Sequence, residues 1–381
     1  MELPAKEFLE ITREKFHRAL KEASSPYFAW FSLNDVCNLN CRYCFADAKY
    51  NRSRIQADNI LSTAEVFDII DNVAQAGTGA IQFAGGEPTL RNDLSEIVGY
   101  TASQGIYVAL NTNGYRLDAG LAGELADAGL SQVKVSVDGL EERHDWNRGK
   151  GSFQKAMEAL ENFKKYGVPS IYLIMTLSRQ NYEDLPALIK LALDMGINFS
   201  MVEFLPTGHS CGKDDWVLSK EKRQEAQRYL HELQKAHGWS TISFENRYII
   251  SEQEPAKSLC TDLSLPCGFR DFSVGCISGI YSYMINAAGK IAGGDILSLE
   301  TGDLKKQDLS AIWKHSDLFK LLRNRDNLKG KCGQCQYRYI CGGCRRRAYI
   351  STGDLMGADP GCWVNSKTCL VHKETPEQAA I

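Results

Sequence analysis

Tyr27-Phe-Ala-Trp-Phe-Ser-Leu33, followed three residues later by Cys37-Asn-Leu-Asn-Cys41-Arg-Tyr-Cys44, joins an aromatic-rich strand candidate to a loop with three cysteines. From that strand onward, β-type and α-type patterns alternate. Ser62 or Thr63 can cap a helix in which Val66, Ile69, Ile70 and Val73 recur at i, i+3, i+4 and i+7. A short apolar run, Ala80–Phe83, ends at Gly85-Gly86. A helix over 93–104, a strand over 106–110 and a helix over 118–128 come next, then the alternating strand Val133-Lys-Val-Ser-Val137. Phe153, Ala156, Leu160 and Phe163 carry the next helical face; a strand over 171–177, a helix over 185–195, a strand over 199–205 and a helix over 219–237 complete the series. The connections are short enough for a parallel sheet. About six strand–helix units are too few for a closed eight-unit barrel, so the pattern predicts an α/β fold, a partial (β/α)6 TIM-type barrel. Chemistry in such folds gathers at the carboxyl ends of the strands, which makes the residues just after each strand the ones to read for function.

The whole chain has 381 residues, 44% apolar and 24% charged, the profile of a globular protein. With 47 acidic against 44 basic residues, a net charge of -3 creates no field for nucleic acid, and no nucleic-acid partner is expected. No uncharged apolar run approaches the roughly 20 residues of a membrane span. The first 25 residues lack the apolar core of a signal peptide. These features predict a cytoplasmic protein with no membrane partner. In a reducing compartment, the 13 cysteines suggest metal ligation rather than cross-linking. Nine of them lie after residue 259, where helical periodicity weakens and turn residues crowd in. The expected division is an N-terminal helix over 1–26, the barrel over 27–240, a boundary near 240–258, a metal-organised cysteine-rich domain over 255–371 and a polar tail over 372–381.

Cys37, Cys41 and Cys44 stand as Cys-x3-Cys-x2-Cys, and a loop can aim three thiolates so spaced at one metal centre. A structural zinc or an electron-transfer cluster wants four protein ligands. Three thiolates on a cubane leave one iron open to a small molecule; alternatively, two are coincidental buried thiols and one is a zinc ligand, with a fourth ligand elsewhere. Gly85-Gly86-Glu87-Pro88 after the second strand, Leu110-Asn-Thr-Asn-Gly114 after the third and Ser136-Val-Asp-Gly139 after the fourth complete a series of motifs at successive strand ends. Taken singly, the glycines, Pro88 and Asp138-Gly139 are also ordinary turn residues, and Arg148 after His144-Asp145 reads as part of a solvated basic loop. No Gly-x4-Gly-Lys stretch and no Gly-x-Gly-x-x-Gly occurs, so phosphate cradles of those types are not expected.

Together these four motifs resemble the radical S-adenosylmethionine (SAM) family over roughly residues 27–205. The resemblance implies a 4Fe-4S cluster on Cys37, Cys41 and Cys44 whose open iron is chelated by the amino and carboxylate groups of SAM. It further implies reductive cleavage of SAM to a 5′-deoxyadenosyl radical, which takes a hydrogen atom from the substrate. The cofactor carries that step while the protein orients it. Glu87 is then the acceptor for the methionyl ammonium, with Gly85, Gly86 and Pro88 beside it. Tyr43 matches the aromatic position near the adenine, and Asn113 and Ser136 are placed for ribose or carboxylate contacts. An electron donor such as flavodoxin or ferredoxin is implied as partner. No catalytic residue is assigned beyond the cluster.

A second dense group, Cys332-x2-Cys335-x5-Cys341-x2-Cys344 followed by Cys362, exceeds the needs of one site; Cys-x2-Cys pairs also build zinc ribbons. The region resembles the SPASM extension, which binds auxiliary iron–sulfur clusters. The resemblance implies one auxiliary 4Fe-4S cluster on Cys332, Cys335, Cys341 and Cys362. A second would join Cys344 to Cys276 and to Cys267 or Cys260, with Gly294 and then Asp295 where a further cysteine belongs. Cys211 and Cys369 read as spare thiols. Arg338 and Arg345-Arg346-Arg347 compensate cluster charge, face solvent, or seat substrate carboxylates.

The stretch from Cys332 to Arg345, with Ala348-Tyr349, Thr352-Gly353-Asp354 and Asp359-Pro360, resembles enzymes that modify tetrapyrrole side chains in alternative haem and haem d1 pathways. Peptide-modifying enzymes of the pyrroloquinoline-quinone type share much of it. The roughly 26 residues before the first strand are too short for a peptide-clasping domain, so a peptide modifier would require a separate partner. A tetrapyrrole side chain, altered by decarboxylation or removal, is the expected substrate, with a ribosomally made peptide as the alternative. A non-catalytic iron–sulfur or zinc scaffold is a third reading, opposed by Glu87 and the three-cysteine site.

Overall fold

A computed structural model describes residues 26–46, 48–50, 61–238, 240–244, 276–293, 299–335, 338–339 and 341–363. The N-terminal helix expected over 1–26, apart from residue 26, and the tail over 372–381 lie outside the described residues. Six strands lie side by side, parallel and in chain order: β1 (Phe28–Ser32), β2 (Ala80–Ala84), β3 (Tyr107–Thr112), β4 (Gln132–Ser136), β5 (Ser170–Leu177) and β6 (Asn198–Glu203). These are the six strands read from the sequence.

The helices between them cover the sheet for the reason their periodicity suggests. Ser62 accepts a hydrogen bond from the Glu65 amide, and Glu65 returns one to the Ser62 amide, closing a capping box at the start of α1 (Thr63–Gln75). Val66, Ile69, Ile70 and Val73 of α1 are all buried, each contributing roughly 1.5–3 kcal/mol. Helices α2 (Leu94–Ser103) and α3 (Ala119–Asp127) follow β2 and β3. A helix not read from the sequence, α4 (Glu141–Arg148), comes next, ahead of α5 (Ser152–Lys165). Then α6 (Leu185–Asp194) separates β5 from β6, and α7 (Lys220–His237) follows β6.

The sheet does not stop at six strands. β7 (Ile242–Phe244) adds parallel to β6 at one edge. At the other, β8 (Ser282–Ile285) pairs parallel with β1, and β9 (Lys290–Ala292) and β10 (Glu300–Asp303) continue antiparallel. The sheet thus runs past the boundary expected near 240–258. Among the described residues, those within 281–319 form one compact unit with those within 26–244, and those within 276–280 and 320–363 belong to the other. The physical reason is local. β8 is only four residues long and buried at every position, so it has no alternation to betray it among turn-rich neighbours. Among the described residues, no helix is long and apolar enough to cross a membrane.

Candidate functional site

The ends of β1 and β2 meet through backbone. The Leu33 amide donates to Ala84 O, the Gly86 amide to Asn34 O and the Glu87 amide to Val36 O, at 2.8–2.9 Å. A Cβ on Gly86 would stand 2.0 Å from Val36 O, so only glycine lets the turn after β2 lie flat against the segment leading into the cysteine loop. The glycines' first duty is thus to the chain itself.

Glu87 is 1% exposed. Its Oε1 accepts from the Thr89 amide (3.1 Å), Thr89 Oγ1 (2.7 Å) and Thr112 Oγ1 (2.7 Å), and its Oε2 from the Asn113 amide (2.8 Å). Burial raises its pKa although all four hydrogen bonds act the other way. Oε1 is saturated, while Oε2 retains acceptor capacity. Pro88, buried, opens the short turn Pro88–Leu90 that Glu87 caps.

The cysteine loop packs as one cluster: Cys37, Leu39 and Ala48 buried, with Cys41 and Cys44 against them. Cys37 Sγ receives the Leu39 amide (3.4 Å) and Asn113 Nδ2 (3.6 Å). Asn113 Nδ2 also donates to Asn38 Oδ1 (2.9 Å), which turns this amide toward the loop. Burial pushes the Cys37 thiol up to about 12 and Cys41 up to about 11, with the charge of Arg148 opposing the shift at Cys41. Such thiols give up their protons to a metal rather than to water. Among the described residues, no three His, Cys, Asp or Glu side chains converge on the point a single ion needs. A cubane instead distributes three thiolates over three irons. Donors aimed at sulfur, buried thiols and one loop carrying all three fit such a cluster.

Tyr43 is held from beneath by a charged group of residues that the sequence reading undervalued. Asp138, fully buried at the end of the segment after β4, accepts from Tyr43 Oη and Arg148 Nε, from Asn147 Nδ2 (3.3 Å) and from the Thr176 amide (3.0 Å). Arg148 is 8% exposed, donates to Tyr43 Oη, and lies 5.4 Å from the Tyr43 ring centroid. The solvated basic loop expected around Arg148 is therefore corrected: a buried carboxylate takes its charge. Burial is the largest influence and raises the Asp138 carboxyl, but the charge and hydrogen bond of Arg148, with His144 and the Tyr43 hydroxyl, together hold the group below its ordinary value. Burial lowers His144 to about 4, so it is neutral when its Nδ1 accepts from the Asp138 amide at 3.2 Å. His144, Asn147 and Arg148 fall at i, i+3 and i+4 on α4, a polar stripe that marks one helix face as an apolar one would. Ser136 ends β4 and is half-buried.

In the other unit, Cys332 and Cys344 are buried and Cys276, Cys335, Cys341 and Cys362 half-buried, none of them in a disulfide. Asp359, 3% exposed, organises them. Its amide donates to Cys332 Sγ (3.3 Å), and its carboxylate accepts from the amides of Cys344 (2.7 Å) and Gly361 (2.9 Å). Arg347 Nη1 pairs with the same carboxylate at 3.3 Å, and the Arg347 amide donates to Cys344 Sγ at 3.4 Å. Arg325 Nη2 donates to Cys276 O at 3.0 Å. As solvated arginines or open carboxylate seats, Arg345 and Arg347 are corrected, since each is 4% exposed and turned onto protein acceptors. Cys260, Cys267, Gly294, Asp295 and Cys369 lie outside the described residues.

Residues 31–192 match the Radical SAM superfamily. The chain is 31% identical to the AdoMet-dependent heme synthase of Methanosarcina barkeri, a match covering 89% of this chain and 97% of that one. It is 29% identical to the mycofactocin maturase of Mycolicibacterium smegmatis, covering 92% and 85% respectively. Among solved structures, Streptococcus suis SuiB bound to precursor peptide SuiA shares the fold, with a TM-score of 0.69, 18% identity, and coverage of 92% of this chain and 80% of that one. With four motifs seated at the ends of consecutive parallel strands and a relative matched nearly end to end, this chain is an enzyme of radical chemistry and belongs to the radical SAM superfamily.

Proposed function

We propose that this enzyme acts on a tetrapyrrole side chain, by decarboxylation or side-chain removal. The observation that carries this reading is the match to a relative named AdoMet-dependent heme synthase across 97% of that relative's length. Cys37, Cys41 and Cys44 hold a 4Fe-4S cluster that binds SAM. Cys332, Cys335, Cys341 and Cys362 hold an auxiliary cluster, and Cys344, Cys276 and Cys267 contribute to a second. When bound, the first cluster and SAM supply a radical able to abstract hydrogen from an unactivated carbon. The chain's own residues bind and orient. The free lone-pair capacity of Glu87 Oε2 accepts the methionyl ammonium. Tyr43, braced by Asp138 and Arg148, presents its ring to the adenine. Gly85, Gly86, Pro88, Asn113 and Ser136 complete the rim, and a flavodoxin- or ferredoxin-type protein delivers the electron.

The test is anaerobic incubation of reconstituted enzyme with reductant, SAM and an iron porphyrin bearing propionates. The expected result is a product lighter by carbon dioxide and two hydrogens per side chain, in step with 5′-deoxyadenosine. Deoxyadenosine formed without any change in the porphyrin, together with modification of a small peptide encoded beside the gene, would move the substrate to the ribosomally made peptide of the alternative reading.

Glu87→Gln keeps the shape but replaces one carboxylate oxygen with a donor, so SAM affinity should fall by roughly 1.5–3 kcal/mol, about 13- to 160-fold in Kd. Equilibrium dialysis with labelled SAM reads this directly; an unchanged Kd would leave Glu87 with only its turn-capping role.

A further inference from the structure

We propose that Arg345 sets the reduction potential of the auxiliary cluster by charging the hydrogen-bond environment of the Cys332 sulfur. This rests on the reading above that Cys332 is a cluster ligand. Cys332 Sγ receives two donors, the Asp359 amide at 3.3 Å and Arg345 Nη2 at 3.6 Å. The second is a full positive charge, 4% exposed to solvent. It cannot swing away, because Arg345 Nη1 is fixed on Leu355 O (3.1 Å) and Gly357 O (2.8 Å). Arg345 Nε is buried and has no hydrogen-bond partner, so one donor of the fork remains for a further acceptor.

The chain makes room for this arrangement at Gly343, in the turn between Cys341 and Cys344. It has φ +66°, and a Cβ there would meet Arg345 Nη2 at 2.7 Å and Cys332 Sγ at 3.1 Å. The space a side chain would occupy is filled by guanidinium and sulfur. A guanidinium spent wholly on fold needs only its carbonyl partners, whereas this one also reaches a ligand sulfur.

Reduction adds one negative charge to a cluster that is already anionic. A fixed cation on a ligand sulfur, screened from water, stabilises the reduced form more than the oxidised one and raises the potential. The neutral amide on another sulfur of this cluster, Gly343 to Cys341, acts in the same direction with less force.

The test uses the full chain, reconstituted anaerobically, with redox titration of each cluster followed by electron paramagnetic resonance and with iron content measured in parallel. In Arg345→Gln, one auxiliary signal should need a potential lower by ~59 mV, a tenfold change in the reduced-to-oxidised ratio for one electron. The SAM-cluster signal should stay in place and the iron content should not change. Arg345→Lys keeps the charge and should fall nearer the parent protein than Arg345→Gln does. Unmoved midpoints in an iron-replete Arg345→Gln protein overturn the proposal, as do equal shifts in the two variants. Loss of auxiliary iron from both variants also overturns it, by making Arg345 a structural staple. If the unaltered chain takes up iron for the SAM cluster alone, the auxiliary-cluster reading itself falls, and with it this inference.

Discussion

Replacing Cys37, Cys41 and Cys44 together with Ala should abolish 5′-deoxyadenosine formation, down to the level of reductant and SAM alone, while iron bound by the cysteine-rich unit stays. The three thiols sit in one packed loop, so the loss falls on the centre that loop holds. The assay is anaerobic turnover with dithionite, quantifying deoxyadenosine beside total iron. Deoxyadenosine from the triple variant equal to that of the parent would remove the cluster from this loop. Alanine is tolerable here because Leu39 and Ala48 already make the loop's interior apolar, and a lost thiol leaves only a small void.

The second large effect is on stability. Asp138→Ala should destabilise the barrel by ~3–5 kcal/mol, because it strands the Arg148 charge in a buried site with no counter-ion. It also orphans Tyr43 Oη, Asn147 Nδ2 and the Thr176 amide. Adding Arg148→Met to Asp138→Ala should recover a large part of the loss, since the pair then leaves no unpaired charge. Denaturant titration of the four proteins of the cycle measures the coupling. If the two single changes simply add, Asp138 and Arg148 are not acting as a pair.

Most of the sheet is legible in the sequence because its strands and helices bury one face each. The i, i+3, i+4, i+7 spacing of Val66, Ile69, Ile70 and Val73 and the alternation of Val133, Val135 and Val137 carry that signal to within a residue or two of each boundary. The elements that escape are those whose burial follows other rules. α4 buries His144, Asn147 and Arg148, so an apolar count finds no helix there. β7 has three residues, and β8 is buried on both faces. The motif residues Cys37, Cys41, Cys44, Glu87 and Asn113 do gather at neighbouring strand ends, as chain order and parallel topology require. What the sequence hides is the support beneath them. Thr89 and Thr112 matter only because Glu87 Oε1 lies between them, and Arg148 only because Asp138 stands ten residues earlier on the facing turn. The same holds for Arg345 and Arg347. A run of three arginines looks solvated until Asp359 and the carbonyls of Leu355 and Gly357 are folded over it.

The pairing of β8 with β1 has a consequence for how this protein is made. Phe28 aligns with Ser282 and Phe31 with Ile285, so one side of the first strand waits for a partner more than two hundred residues later in synthesis. By then the six central strands have left the ribosome and can pair among themselves, yet the β1 edge still presents unsatisfied N–H and C=O groups beside the aromatic side chains of Phe28, Trp30 and Phe31. Closing so long a loop is slow, and an open, apolar edge is an invitation to intermolecular strand addition in the interval. Nascent chains stalled before residue 282 are thus the species most in need of a holding chaperone.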